Sequence, residues 1–167
     1  MKNAVSKGTG HLEGLDYRIK GIQSLQRKLQ SKAVQKNITV SDYSEKVTDV
    51  LRYTNVSEAN NLYSDYKIIV KNLNELNYNV IEVTNTFEGA SAYKGINTLV
   101  KDDTGYVFEL QFHTPKSLEI KEVNHKLYEE YRLDTTSNER RLELEKEMRA
   151  NAESIPIPKS IGKIKDK

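Results

Sequence analysis

The stretch Val107-Phe-Glu-Leu-Gln-Phe-His-Thr114 decides how this 167-residue chain folds. Successive side chains of an extended strand point to opposite faces, so Val107, Glu109, Gln111 and His113 share one face, and Phe108, Leu110 and Phe112 share the other. Three large apolar side chains on one face must pack on a core. The polar row opposite reads in two ways: as the solvated face of a half-covered antiparallel sheet, or as the floor of a site.

Working outward, Asp102-Asp103-Thr104-Gly105 has the composition of a tight hairpin turn, joining a strand over Gly95–Lys101 to one over Tyr106–Thr114. A further strand is expected over Asn79–Thr86, and, after a polar break around Asn37 to Ser44, a short buried one over Val47–Val56, with Asp49 near its start. Ile22, Leu25, Leu29 and Ala33 recur at helical spacing, as do Leu62, Tyr66, Ile69, Leu73 and Leu76 in a helix opened by Ser57, Asn60 and Asn61. Pro115 suits the first turn of a helix running to about Arg132, and Ser137-Asn138 starts another. The first fourteen residues are aperiodic and read as a flexible lead-in or a loop that orders over a ligand. Together these elements predict one α+β (mixed α/β) domain over residues 1–167, with its core over about 14–152 and a loose tail over 153–167.

Composition narrows the function. A net charge of only +2 argues against general DNA binding or membrane-surface binding, which need a concentrated basic face. Without cysteine there is no disulfide or thiolate chemistry, and His11, His113 and His125 lack a metal-binding spacing, so any essential metal is expected on carboxylates. No apolar run approaches the roughly 20 residues of a membrane span, and no secretory core follows Met1, so a soluble domain is expected; delivery within a larger polypeptide stays open.

Several residues bear chemistry. Asp49 is a second acid beside a strand, and two carboxylates brought together bind Mg²⁺ when substrate phosphates complete its shell; as a helix-to-strand cap it would have no such role. In Tyr17-Arg-Ile-Lys-Gly-Ile-Gln-Ser-Leu25, Arg18 and Lys20 alternate ahead of a helix entered by Ser24, an arrangement suited to polyphosphate, although R-x-K is a common pattern. Tyr93 and Lys94 precede a glycine at a strand start, placing a ring for base stacking next to a cation for phosphate, or forming an ordinary loop. Lys121, His125, Tyr128 and Arg132 follow 4-3-4 spacing and make one polar helix stripe, the usual form of a wet face.

Taken in order, YRIKGIQSL, DVLRYT, YKGINT and FELQFHT resemble the successive synthetase motifs of the RelA/SpoT alarmone-synthetase family, over about residues 14 to 132. Those motifs run as an R-x-K-S-like element, a D-to-R strand, a Y-x-S-L-H-like loop and an E-I-Q-I-R-T-like strand. The resemblance implies a nucleotidyltransferase-like mixed sheet of about four to five strands flanked by helices. It also implies a Mg²⁺-dependent pyrophosphokinase that moves the β,γ-pyrophosphate of ATP to the 3′-hydroxyl of a purine nucleotide, giving (p)ppApp- or (p)ppGpp-type products and AMP. By position, Asp49 and Glu109 would hold Mg²⁺, with Glu109 taking the proton from the nucleophile. Arg18, Lys20, Ser24, Lys28 and Arg52 would bind ATP, with Arg27 as an alternative helper to Lys28. Tyr93, Lys94, Asn97, Gln111, His113, Lys121 and His125 would bind the acceptor.

The sequence departs from the family pattern at three points. Asn97 stands where many synthetases have His, His113 where the last strand usually has Arg, and Arg52 follows the aspartate by three residues rather than about five. The wording is closer to the synthetase-like domains of polymorphic and phage-borne toxins, which implies action in a target or host cytoplasm and makes a cognate immunity protein an expected partner. Two alternatives stay open: pyrophosphorylation of the tRNA 3′ end, supported by the basic tail Pro158 to Lys167, and a non-catalytic nucleotide-binding module.

Overall fold

The computed structural model describes residues 1–167. In chain order its elements are α1 (Lys2–Val5), β1 (His11–Glu13), α2 (Ile22–Lys36), α3 (Val40–Ser44), β2 (Arg52–Val56), α4 (Leu62–Glu75), β3 (Asn79–Asn85), β4 (Ile96–Lys101), β5 (Val107–His113), α5 (Pro115–Tyr131) and α6 (Asn138–Glu153), with short 3₁₀ turns at Leu15–Tyr17 and Ile161–Lys163. The strands form one mixed sheet of five in the order β1-β2-β5-β4-β3. Only β2 and β5 run parallel. No helix is long and apolar enough to cross a membrane.

β5 is the central strand, and its alternation sets the layers. Leu110 and Phe112 are fully buried and Phe108 nearly so. The Phe112 ring meets Tyr66 of α4 edge-on at 5.1 Å, which identifies the layer covering that face. Burying each such side chain stabilises the fold by about 1.5–3 kcal/mol. The hairpin into β5 follows its predicted chemistry: Asp102 Oδ1 accepts from the backbone N–H groups of Thr104 and Tyr106, and Gly105 takes a positive φ of 92°.

The opposite face of β5 is not a solvated one. Gln111 is 4% exposed and His113 0%, because α5 folds back over them and its Ser117 Oγ lies 2.9 Å from His113 Nδ1. Pro115 and the reciprocal Thr114–Ser117 capping box start α5 immediately after the strand, which forces that tight return.

Four expectations are corrected. The lead-in is structured: Ala4 and Val5 are buried, and β1 pairs antiparallel with β2. The predicted strand over Val47–Val56 shortens to Arg52–Val56, leaving Asp49 in the segment before it. The polar break after Asn37 holds α3, started by a Thr39–Asp42 capping box whose signal is local and easily taken for a turn. The tail is packed, since Ile155, Ile161 and Ile164 join the core and Lys167 exchanges backbone hydrogen bonds with Val83 on the outer edge of β3. Three isoleucines too widely spaced to show a period gave no sign of this burial.

Helix α2 departs in the other direction. Ala33 is buried, but Ile22 is 76% exposed and Val34 82%, so its apolar spacing marks a thin contact with α3 rather than a broad core face.

Candidate active site

The parallel pairing of β2 with β5 sets Arg52 opposite Glu109 and Thr54 opposite Gln111, and the β4–β5 pairing sets Asn97 opposite Gln111. Paired residues lie on the same face, so Arg52, Glu109, Gln111 and Asn97 form one polar floor.

Arg52 bridges the two acids. Its Nε donates to Glu109 Oε2 at 2.6 Å and its Nη2 reaches Asp49 Oδ2 at 3.5 Å. Asp49 also accepts from Lys28 at 2.6 Å and lies 3.1 Å from Lys20. Burial pushes the Asp49 carboxyl up, but the Lys28 and Lys20 ammonium groups outweigh it and hold the group below the ordinary carboxylate range. On the far side, Glu109 Oε1 accepts from Gln111 Nε2 at 2.9 Å, and Gln111 Oε1 accepts from Lys121 at 2.8 Å. Lys121 is pushed down to about 8, first by burial and then by the Arg52 cation, with Glu109 and Glu122 pulling the other way. Four cations thus stand with two carboxylates along one connected chain of side chains, a surplus suited to a polyphosphate.

Beyond Lys121 the floor turns aromatic. The Tyr93 hydroxyl donates to Asn97 Oδ1 at 2.6 Å and lies 3.0 Å from His113 Nε2. Its ring stands perpendicular to the imidazole, with centroids 5.4 Å apart. Gly95 makes that fold-back possible, since a Cβ there would lie 2.7 Å from His113 Cε1 and 2.9 Å from the Tyr93 hydroxyl. The loop bearing Tyr93 is pinned from α5 and α6, where Asn124 donates to the Ala92 carbonyl at 3.1 Å and Arg149 to that of Ala90 at 2.7 Å. Burial, and secondarily Glu109, raises the Tyr93 hydroxyl well above its ordinary pKa. Burial, followed by the Lys121 and Arg52 cations, depresses His113 to about 3, so its imidazole is neutral at ordinary pH.

Among solved structures the chain is similar to small alarmone synthetase 2 from Bacillus subtilis, with a TM-score of 0.58 and 16% identity over 86% of this chain and 72% of that one. It is similar to small alarmone synthetase 1 from the same organism bound to its product pppGpp, with a TM-score of 0.56 and 16% identity over the same shares of the two chains. The Type VI effector Tas1, solved in complex with its immunity protein, gives a TM-score of 0.56 and 18% identity over 89% of this chain and 83% of that one. The fold is that of the alarmone synthetases. No protein-family model matches the chain, and no curated protein sequence does. At such identities the likeness is one of fold, and the chemistry rests on the residues themselves.

Within this alarmone-synthetase fold, Asp49, Glu109, Lys20, Lys28, Arg52, Gln111, Lys121, Asn97, Tyr93 and His113 gather along one face. Four expected residues do not join them. Arg18 is exposed and donates to its neighbour's carbonyl at Leu15; it lines a separate hollow of about 550 Å³ with Lys2, Asp16 and Tyr53. Tyr53 stands in register with Leu110, on the apolar side of the sheet. Ser24 is exposed on the first turn of α2. Lys94 donates to the Gly89 and Phe87 carbonyls, which ties down its own loop. His125 is 69% exposed and faces Glu129, one turn beyond the part of α5 that covers the floor.

Ser117 is the residue that sequence reasoning missed. It serves the cap of α5 and His113 at once, and the Thr114-x-x-Ser spacing signals only the first role.

Asp49 and Glu109 suit Mg²⁺ by donor type, both offering hard carboxylate oxygens at the two ends of one guanidinium. No third His, Asp or Glu completes a metal nest, so phosphate oxygens and water would have to fill the octahedron.

Proposed function

We propose that this cleft transfers pyrophosphate from ATP to the 3′-hydroxyl of a purine nucleotide. The observation that carries the reading is the Arg52 bridge between Asp49 and Glu109, flanked by Lys20 and Lys28 on one side and by Gln111 and Lys121 on the other. Lys20, Lys28 and Arg52 leave their carboxylates to meet the triphosphate, which offers more negative charge than the acids they now pair with. Asp49 and Glu109 would then hold Mg²⁺, whose contribution is charge neutralisation across the phosphates. The acceptor's 3′-oxygen attacks the β-phosphorus, the bond from that phosphorus to the α,β-bridging oxygen breaks, and AMP leaves with that oxygen. Glu109 takes the 3′-hydroxyl proton, and Lys121 neutralises charge on the acceptor side.

The Tas1 neighbour, an effector solved with its immunity protein, supports a toxin context with an immunity protein as partner; in that context purine pyrophosphates would be made in the cytoplasm of a target cell at the expense of ATP. The tRNA reading rests on the basic tail, which packs on the domain while Lys159 and Lys165 stay exposed. Lys167 Nζ is held on the Val80 carbonyl and Lys163 lies over the Tyr63 ring, so the tail is not a free basic arm. The test is incubation of the chain with ATP, Mg²⁺ and each purine nucleotide, with products resolved by mass. Wild type yields AMP and an acceptor heavier by one pyrophosphate, and Glu109→Gln yields neither. Equal turnover in the two proteins overturns the assignment.

A further inference from the structure

The end of the cleft beyond Lys121 has a hydrogen-bond direction that can be worked out proton by proton. The Tyr93 hydroxyl has one hydrogen, and its 2.6 Å contact to Asn97 Oδ1 takes it. The contact at 3.0 Å between that hydroxyl and His113 Nε2 must then be supplied by an Nε2 hydrogen. His113 is fully buried and neutral, so it carries only that hydrogen, and Nδ1 is left as an acceptor. Ser117 Oγ lies 2.9 Å from Nδ1 and 3.2 Å from the Thr114 carbonyl; its one hydrogen goes to the nearer Nδ1, while the oxygen accepts from the Thr114 backbone N–H at 2.9 Å. The series runs Ser117 to His113 to Tyr93 to Asn97, each hydroxyl or ring donating to the next.

The consequence falls on Asn97, which is half-buried on the floor in register with Gln111. Its carbonyl is occupied by Tyr93 and its two amide hydrogens have no partner within the chain. Gln111 offers no alternative, because it is 4% exposed, with its carbonyl turned to Lys121 and one amide hydrogen to Glu109. The amide and ring end of the cleft therefore presents a donor. We propose that the buried pair Ser117 and His113 selects the acceptor base by holding Asn97, through Tyr93, with its amide hydrogens toward the substrate. The proposal rests on the reading of this end as the acceptor site. A 6-oxopurine offers O6 and N7 as acceptors, whereas an adenine sets its own N6 donor against the Asn97 donor. Ser117 and His113 act as positioning residues, since neither reaches the cleft surface.

The experiment fills the ATP site with α,β-methylene-ATP and Mg²⁺, then titrates guanosine, inosine and adenosine diphosphates by calorimetry. It is repeated as turnover with ATP. Wild type is expected to bind the guanosine and inosine forms about tenfold or more tighter than the adenosine form. Tyr93→Phe keeps the ring but frees the Asn97 carbonyl, and the preference should fall to within about twofold. Ser117→Ala should do the same without touching the cleft, and Ser117→Thr, which restores a hydroxyl, should recover it. Asn97→Asp, offering only acceptors, should invert the order. Equal affinity for the three bases in wild type, or an unchanged ratio in Tyr93→Phe and Ser117→Ala, overturns the proposal. A preference that behaves as expected in binding while no acceptor is turned over would leave the base-selection inference standing and remove the pyrophosphokinase reading.

Discussion

His113 makes folding stability depend on pH in a way that can be calculated. Burial and the neighbouring Lys121 and Arg52 cations depress it from 6.5 to about 3. The unfolded chain therefore takes up a proton below 6.5 that the folded chain refuses until about 3. The stabilisation is fully present above 6.5 and is lost as pH falls through that window. Moving from pH ~7.5 to pH ~4.5 carries the unfolded imidazole about two units past its pKa, which amounts to about 2.7 kcal/mol. For a domain of this size that is a drop in melting temperature of about 5–10 °C. The assay compares thermal melts of wild type and His113→Gln at the two pH values. The variant has a lower melting temperature at neutral pH because it repacks beside Tyr93 and Ser117, but its acid-induced loss should be smaller than that of wild type by about the stated amount. Asp49 contributes little to the difference, since its own depressed carboxyl is lost only at lower pH. Equal acid-induced losses in the two proteins would show that His113 is charged or solvated in the fold, and would break the donor series built on it.

Other outcomes follow from the same geometry. Glu109→Gln, isosteric but unable to take a proton, should lower kcat by about 10²–10⁴-fold, which leaves no product visible by mass in the same incubation, with circular dichroism unchanged. Lys28→Met removes the shortest partner of Asp49 and a phosphate cation together, so the KM for ATP should rise more than kcat falls, measured by steady-state kinetics. Affinity for a phosphorylated acceptor should weaken as pH rises through about 8, where Lys121 loses its charge, and this dependence should vanish in Lys121→Met titrated by calorimetry. Ile161→Ala, in the tail beside the core, should cost about 2–5 kcal/mol by chemical denaturation, whereas Ile157→Ala, 66% exposed, should cost almost nothing.

The legibility of the fold followed the strength of local signals. Phe108, Leu110 and Phe112 repeat every second residue against a polar row, and the strand, its hairpin and its Pro-started helix could be read from that alone. The fate of the polar row could not, because Glu109, Gln111 and His113 show the same pattern whether water or α5 covers them, and only the return angle set by the Thr114 cap decides it. The Arg52 bridge was illegible for a similar reason. A three-residue spacing from Asp49 says nothing until the parallel β2–β5 register sets Arg52 opposite Glu109. His125 and Lys121 share a helix stripe, yet Lys121 is half-buried and reaches Gln111 on the floor, whereas His125 faces solvent. Ile155, Ile161 and Ile164 are buried by a long-range return of the chain to β3, which no local period encodes.

The most direct test of the central claim is to mix the protein with ATP, Mg²⁺ and a guanosine or inosine diphosphate and read the nucleotide products by mass. The account predicts AMP and an acceptor heavier by one pyrophosphate in equal amounts, and neither product from Asp49→Asn or Glu109→Gln. Release of ADP and phosphate with the acceptor unchanged, or AMP formed equally by wild type and both variants, would contradict it.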